Sequence, residues 1–336
     1  MTAPALSILT PHVSEGLLAE LGAEIALVEE ELTRQMRSQS ALVEKVAKHT
    51  LRAGGKRLRP AFVTIGAKST GCDFDVEATR RIGACMEMIH MATLIHDDVI
   101  DNSSTRRGLP TAGYAFGNRA SILTGDALLA KATILLAEEE DLELIRLVSE
   151  AVSDMAEGEV REVEVRGNFD LDEATHLEIL RLKTASFIEA CCESGAIVAK
   201  AEPRMRSALR RYGKHVGIAF QIVDDLLDYR GEKDKTGKPT AIDFCEGQAT
   251  LPLIYLRDRL NESELQIVRS KFGTPIDERE IRMIACWMDT RGAFEQCEKQ
   301  ALHHVEIALE AVQELPVVAA RELLATVAEY VLRRQL

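Results

Sequence analysis

Apolar residues in this chain recur at spacings of three and four, and that period narrows the possible folds more than any other feature. Leu17, Leu18, Leu21, Ile25, Val28 and Leu32 form one such stripe, and Ile179, Leu182, Ser186, Ile188 and Ile197 mark a second. Alternating runs of Val, Thr and aromatics are hard to find, and aromatics are only 4 % of the residues, which leaves little to build a sheet. The expectation is an all-α protein with about a dozen helices. Its 46 % apolar content suffices for a large core without disulfide or metal staples. No stretch is Pro- or Ser-rich enough to read as a linker, so a single domain over residues 1–336 is expected, with 1–40 as an N-terminal helical extension.

Charge and cysteine content exclude several classes. A net charge of −13 argues against nucleic-acid binding through a broad basic surface, although it leaves room for a local cluster of cations. The seven cysteines include no CxxC pair, and Cys191 and Cys192 are adjacent, a spacing that suits neither structural zinc nor a common disulfide. They read as reduced thiols packed as small hydrophobes. The first residues lack the basic start and apolar run of a signal peptide, and no window holds 18 uninterrupted apolar residues. A cytoplasmic protein without a membrane span is the expectation.

Three polar segments interrupt the helical pattern: Ala53–Pro60 (AGGKRLRP), Asn102–Asn118 and Arg230–Pro252. The last two each follow a cluster of aspartates. Asp97, Asp98 and Asp101 stand in MATLIHDDVIDN, and Asp224, Asp225 and Asp228 in FQIVDDLLDYRG. On a helix, positions four apart share a face, so Asp97 lies over Asp101 and Asp224 over Asp228. Carboxylates so placed repel one another unless a cation intervenes. Magnesium suits them, since it binds one or two carboxylates and completes its shell with water and phosphate oxygens. Eighteen aspartates scattered over 336 residues would give about 0.05 chance matches to this spacing, yet two occur. A looser acidic match at Glu139, Glu140 and Glu143 reads as a solvated helix face.

With GGKRLRP, the two DDxxD clusters, LKTAS and TGKP, the chain resembles the trans-polyprenyl diphosphate synthases, relatives of the farnesyl and geranylgeranyl diphosphate synthases, and looks closest to the longer-chain members. The motifs run from about Gly54 to Pro252; the first forty and last eighty residues carry none. The resemblance implies an isoprenoid-synthase-type bundle around a deep central cavity and a homodimer. It also implies a prenyltransferase that adds isopentenyl diphosphate to an allylic diphosphate, with on the order of three magnesium ions per active site when substrate is bound. By that resemblance Asp97, Asp101 and Asp224 are direct metal ligands, while Asp98, Asp225 and Asp228 orient them or act through water. Lys56, Arg59, His90 and Arg107 would hold isopentenyl diphosphate. Arg106, Lys183, Thr184, Gln221 and Lys238 would grip the allylic diphosphate. Two departures stand in the third segment: Gln248 replaces a common lysine in EGQATLP, and Ala241 a common glycine in KPTAIDF.

Product length is expected to depend on the helix that carries Asp97. Thr93 and Ala92 lie about one turn before it, and Met88 deeper. Short-chain members of the family often place an aromatic there, so the small side chains here imply a product longer than C20, roughly six to ten isoprene units. Two other readings compete: a terpene cyclase of the same fold, and one subunit of a heteromeric synthase. Cyclases usually replace the second aspartate cluster and lack the isopentenyl site; regulatory subunits tend to lose the aspartates. This chain keeps both.

Overall fold

The computed structural model describes residues 15–230 and 240–333. It is almost wholly helical, as the periodicity predicts, apart from a two-stranded ribbon of two residues per strand. The chain divides into two compact units: Met1–Ser149 with Ala190–Leu209 and Glu314–Thr326, and Glu150–Glu189 with Arg210–Gln313 and Val327–Leu336.

The first unit is built around α4 (Val76–Ile100). Asp75 caps its start, its carboxylate accepting the amides of Glu77 and Ala78. From Ile82 to Ala92 nearly every α4 residue is buried, so this helix is core on all sides and not amphipathic. It packs against α1 (Glu15–Gln35), α3 (Leu58–Ser69) and, most extensively, α6 (Asn118–Ala137). Of the first apolar stripe, Leu21, Ile25, Val28 and Leu32 are buried against this core, whereas the side chains of Leu17 and Leu18 lie outside the described set. Helix α2 (Ala41–Arg52) also packs on α6.

Helix α6 is long and apolar enough to cross a membrane by length and composition, because polar residues dilute its apolar run without making it hydrophilic. One face, with Thr124, Gly125, Leu128, Ala132, Leu135 and Leu136, is buried; Ile122, Leu123 and Ile134 on the other are exposed. Between α4 and α6 the chain makes the ribbon β1 (Thr105–Arg106) and β2 (Leu109–Pro110), then the short α5 (Ala112–Phe116). Arg107 and Gly108 both adopt positive φ, 52° and 76°, the requirement of a two-residue type I′ hairpin.

In the second unit α7 (Leu142–Val165) supplies its later turns, and α8 (Glu173–Leu180) runs through a π turn at Arg181–Ala185 into α9 (Ser186–Val198). Ile179, Leu182, Ser186 and Ile188 of the second stripe are all buried. Helix α10 (Pro203–Arg230) buries Val216, Ile222, Val223 and Leu226 and ends in the second aspartate cluster. Then follow α11 (Ile242–Glu246), α12 (Leu251–Arg257), α13 (Glu262–Lys271), α14 (Glu278–Thr290), α15 (Ala293–Val312) and α16 (Val318–Arg333).

One contact in this unit sets a pH dependence. His215 of α10 and His304 of α15 share an Nδ1–Nδ1 hydrogen bond of 2.8 Å. Burial, then Lys214, His303 and Arg211, lower His215 to about 4; burial, then His215, His303 and Lys214, lower His304 to about 4. Both rings are therefore neutral when folded and titrate near 6.5 when unfolded. Their contribution to stability is complete above about pH 6.5 and declines as pH falls towards 4. Urea midpoints measured from pH 7.5 to 4.5 should drop more steeply in the wild type than in a His304→Asn variant. Parallel curves would contradict this.

Candidate functional site

The GGKRLRP segment joins α2 to α3 in the first unit. Arg57 caps α3 in the left-handed region, φ 48°, which a non-glycine residue adopts only when tied down. The tie is a buried fork: Nη1 donates to Glu87 Oε1 at 2.9 Å, Nε to Glu29 Oε1 at 3.1 Å and Nη2 to the Leu51 carbonyl at 3.3 Å. Both arginine tips approach Gly55 closely: a Cβ there would sit 2.9 Å from Arg57 Nη1 and from Arg107 Nη1, so either side chain would have to shift. Arg107 donates in turn to the Gly54 carbonyl. A pocket is lined by Gly54, Arg57, Glu87, His90, Arg106 and Arg107.

That pocket carries surplus positive charge. Burial, followed by Arg59, Arg107, Arg106 and Arg57, holds His90 well below its ordinary value, so the ring is neutral. Burial and then Arg106 lower Arg107. Arg59 Nε is buried and meets no acceptor among the described residues. A buried guanidinium N–H without an acceptor is costly, and Arg59, although not one of the residues lining the pocket, adds its charge to the field there. Lys56 is exposed beside this group.

The first aspartate cluster occupies the last turn of α4, with Asp101 as its C-cap and no basic residue in that turn. The helix dipole is negative there, so each carboxylate is disfavoured by ~0.3–1 kcal/mol until a cation compensates it. Asp98 is buried, and its Oδ1 accepts from Arg106 Nε at 2.8 Å. Burial raises Asp98 while Arg106 opposes the rise. Asp97 is half-buried and Asp101 exposed.

In the second unit, Asp224, Asp225 and Asp228 occupy the final turns of α10. Here too the middle aspartate is the buried one. His176 Nε2 lies 2.9 Å from Asp225 Oδ2, Gln221 Nε2 3.4 Å from Asp225 Oδ1, and Thr184 donates to Gln221 Oε1 at 3.2 Å. Asp228 accepts the backbone amides of Ile242 and Asp243, both at 3.1 Å. Burial, then Asp228 and Asp225, push Asp243 well above the usual carboxylate range, and burial also raises Asp228. Carboxylates so crowded call for cations. Among the described residues, no three His, Cys, Asp or Glu side chains converge as an ion site. This donor set fits magnesium, which takes one or two protein carboxylates and fills the remaining positions with water and phosphate oxygens.

Lys183 and Thr184 sit in the π turn between α8 and α9, where the Ser186 amide bonds to the Arg181 carbonyl five residues back. Wide turns of this kind frequently mark functional positions. Glycines on neighbouring helices make room for it: a Cβ on Gly158 would stand 2.5 Å from the Lys183 amide nitrogen, and one on Gly217 2.6 Å from Ala185 Cα. Burial opposes the Lys183 charge, but Glu162 at 2.6 Å and Glu159 at 3.1 Å overcome it and hold the ammonium above its ordinary range.

The structure thus gathers Arg59, His90, Arg106 and Arg107 in one unit, and Lys183, Thr184, Gln221, Asp225 and Asp228 in the other. Lys238 lies outside the described residues. Ala92 and Met88 are fully buried in α4, while Thr93 is half-buried and donates to the His90 carbonyl. Four participants went unread in the sequence: Glu159, Glu162, His176 and Asp243. Asp243 had a signal, as an aspartate in the segment after DDLLD. The lone His176 had none, because its partner is 49 residues away. Ala241 adopts φ 56°, a left-handed conformation that glycine takes without strain.

The polyprenyl synthetase family model matches residues 40–286. The chain is 34 % identical over 320 residues to the all-trans-nonaprenyl-diphosphate synthase (geranyl-diphosphate specific) of Rhodobacter capsulatus, covering 95 % of this chain and 98 % of that one. It is 33 % identical over 314 residues to heptaprenyl diphosphate synthase component 2 of Geobacillus stearothermophilus, with 94 % and 97 % covered. Among solved structures it is similar to a Caulobacter crescentus polyprenyl synthase complexed with calcium and isoprenyl diphosphate, at TM-score 0.89 and 33 % identity, covering 100 % of this chain and 99 % of that one.

The glycine notches generate a prediction. Gly217→Ala forces its new methyl against Ala185 backbone and should cost about 1–3 kcal/mol of stability. It should also lower kcat by displacing Lys183 and Thr184. Thermal unfolding with steady-state kinetics checks both, and an unchanged kcat would show that the π turn tolerates displacement.

Proposed function

Because the chain belongs to the polyprenyl synthetase family, we propose that it condenses isopentenyl diphosphate onto an allylic diphosphate to give a trans-polyprenyl diphosphate longer than C20. The observation that carries this reading is the cationic pocket beside the first aspartate cluster. Arg57, Arg106 and Arg107 line it, and burial followed by the charges of Arg59, Arg107, Arg106 and Arg57 keeps His90 neutral. An anion with several oxygens is the ligand such a pocket fits. We assign it isopentenyl diphosphate, bound by Lys56, Arg59, His90 and Arg107.

The allylic diphosphate must leave as an anion while a carbocation forms, so charge stabilisation dominates the barrier. Magnesium supplies that stabilisation when bound, through Asp97, Asp101 and Asp224. The engagement of Asp98 by Arg106, Asp225 by His176 and Asp228 by two amides supports orienting roles for those three. Lys183, Thr184, Gln221 and Lys238 are assigned to the departing diphosphate, and the family resemblance assigns Arg106 to the same ligand. Lys183 would exchange its Glu159 and Glu162 partners for diphosphate oxygens. The isopentenyl double bond then attacks the cation, and loss of a proton forms the new double bond.

We assign a product of roughly six to ten isoprene units, on the buried small side chain of Ala92, with Thr93 and Met88 as further determinants. Ile122, Leu123 and Ile134 of α6 are exposed apolar side chains that a second copy would cover, so we propose a homodimer. All seven cysteines are free, which supports a reducing, cytoplasmic setting. The family model spans parts of both units, which supports treating them as one catalytic domain.

The purified chain, incubated alone with magnesium, isopentenyl diphosphate and geranyl or farnesyl diphosphate, should yield a linear polyprenyl diphosphate by mass analysis. A cyclic hydrocarbon would indicate a cyclase. No turnover without a second protein would indicate half of a two-component enzyme, a reading that the similarity to a heptaprenyl synthase component keeps open. Turnover in excess chelator would overturn the metal assignment. Ala92→Phe should shorten the product, and an unchanged length would refute the tunnel assignment.

A further inference from the structure

His176 belongs to none of the motifs that carry the family resemblance, yet it is one of the few buried polar side chains in the second unit. It lies in α8, seven positions before Lys183, and its partner is the buried Asp225 of α10. An ionised carboxylate only accepts, so the 2.9 Å contact requires a proton on Nε2. The other Asp225 oxygen is approached by Gln221, whose own carbonyl oxygen receives the Thr184 hydroxyl. One chain of contacts therefore runs His176–Asp225–Gln221–Thr184. It ties the helical run that presents Lys183 and Thr184 to the helix end that presents Asp224.

We propose that His176 is a positioning residue for the second metal-binding cluster: by donating Nε2–H to Asp225, it fixes that carboxylate inward and sets the orientation of the adjacent Asp224. The inference rests on the metal role assigned above to Asp224. Removing the donor would leave a buried carboxylate without its main partner. The carboxylate would then turn towards the metal or solvent and drag the last turns of α10 with it. Groups that orient metal ligands in this way typically change metal affinity by about 10–100-fold when mutated. The three hydrogen bonds of this network all join residues of the second unit, so the isopentenyl pocket in the first should not respond.

The test compares three substitutions that separate shape from donation. His176→Phe keeps the ring and loses the donor. His176→Gln places an amide N–H where Nε2 stood. His176→Asn carries the same group one carbon short. Binding of inorganic pyrophosphate is titrated calorimetrically against magnesium, with circular dichroism to confirm folding and steady-state kinetics in parallel. The magnesium concentration for half-maximal pyrophosphate binding should rise about tenfold or more in His176→Phe and His176→Asn. His176→Gln should stay within about threefold of wild type, and the KM for isopentenyl diphosphate within about twofold in all three. If His176→Phe does not fold, the difference between the His176→Gln and His176→Asn curves decides the question alone. Equal magnesium curves for those two variants, or a loss confined to the isopentenyl KM, would overturn the proposal. An Asp224→Asn control separates it from its premise: magnesium dependence unchanged in that variant would remove the metal assignment itself.

Discussion

Carboxylates at the carboxyl ends of α4 and α10 sit where the helix dipole is already negative, and much of the site's construction answers that conflict. Both units use the same remedy for the middle aspartate. Asp98 and Asp225 are buried and each accepts a nitrogen donor from another element, Arg106 Nε at 2.8 Å and His176 Nε2 at 2.9 Å. The outer aspartates receive no such burial: Asp101 is exposed and Asp97, Asp224 and Asp228 are half-buried. In the second unit the crowding extends to Asp243, raised by burial and by Asp228, Asp225, Glu162 and Glu246. Protonation or an entering cation relieves such density.

Backbone strain appears in the loops that deliver the functional groups. Arg57, Arg107 and Ala241 all adopt positive φ without being glycine, a conformation that costs roughly 1–2 kcal/mol per residue. Each is restrained locally. Arg57 is forked between Glu29 and Glu87, Arg107 sits in the hairpin turn, and the Ala241 amide donates to the Asp228 carbonyl at 2.8 Å. Loops held this way lose less conformational freedom when a diphosphate binds, which favours affinity for a flexible, highly hydrated ligand.

The helical class and the aspartate clusters were legible because both are local. A period of three and four residues reports burial within one helix, and DDxxD places its carboxylates by spacing alone. The family resemblance added Arg59, His90, Arg106 and Arg107, which the fold does gather. What escaped depends on long-range approach. His176 meets Asp225 across 49 positions, and the π turn at Arg181–Ala185 exists because Gly158 and Gly217 admit its backbone from two other helices. No local pattern encodes a wide turn of that kind. The type I′ ribbon at Arg107 and Gly108 was equally hidden, since Arg-Gly is not among the preferred pairs for it.

The charge distribution explains how a chain of net charge −13 can serve two anionic substrates. A global charge acts through solvent and is screened within roughly 10 Å, whereas a pocket acts through nearby, partly desolvated groups. The first unit offers arginines directly: Arg57, Arg106 and Arg107 line its pocket, and burial together with the charges of these residues and Arg59 keeps His90 neutral. The second unit offers the opposite, carboxylates that can meet a diphosphate only through metal, with Lys183 as the nearby cation already balanced by Glu159 and Glu162. On the assignment proposed above, the two diphosphates are distinguished by the kind of charge that receives them. Metal would neutralise the charge leaving the allylic diphosphate, whose cation is delocalised over the allyl system, whereas isopentenyl diphosphate would leave an undelocalised primary cation and so reacts through its double bond.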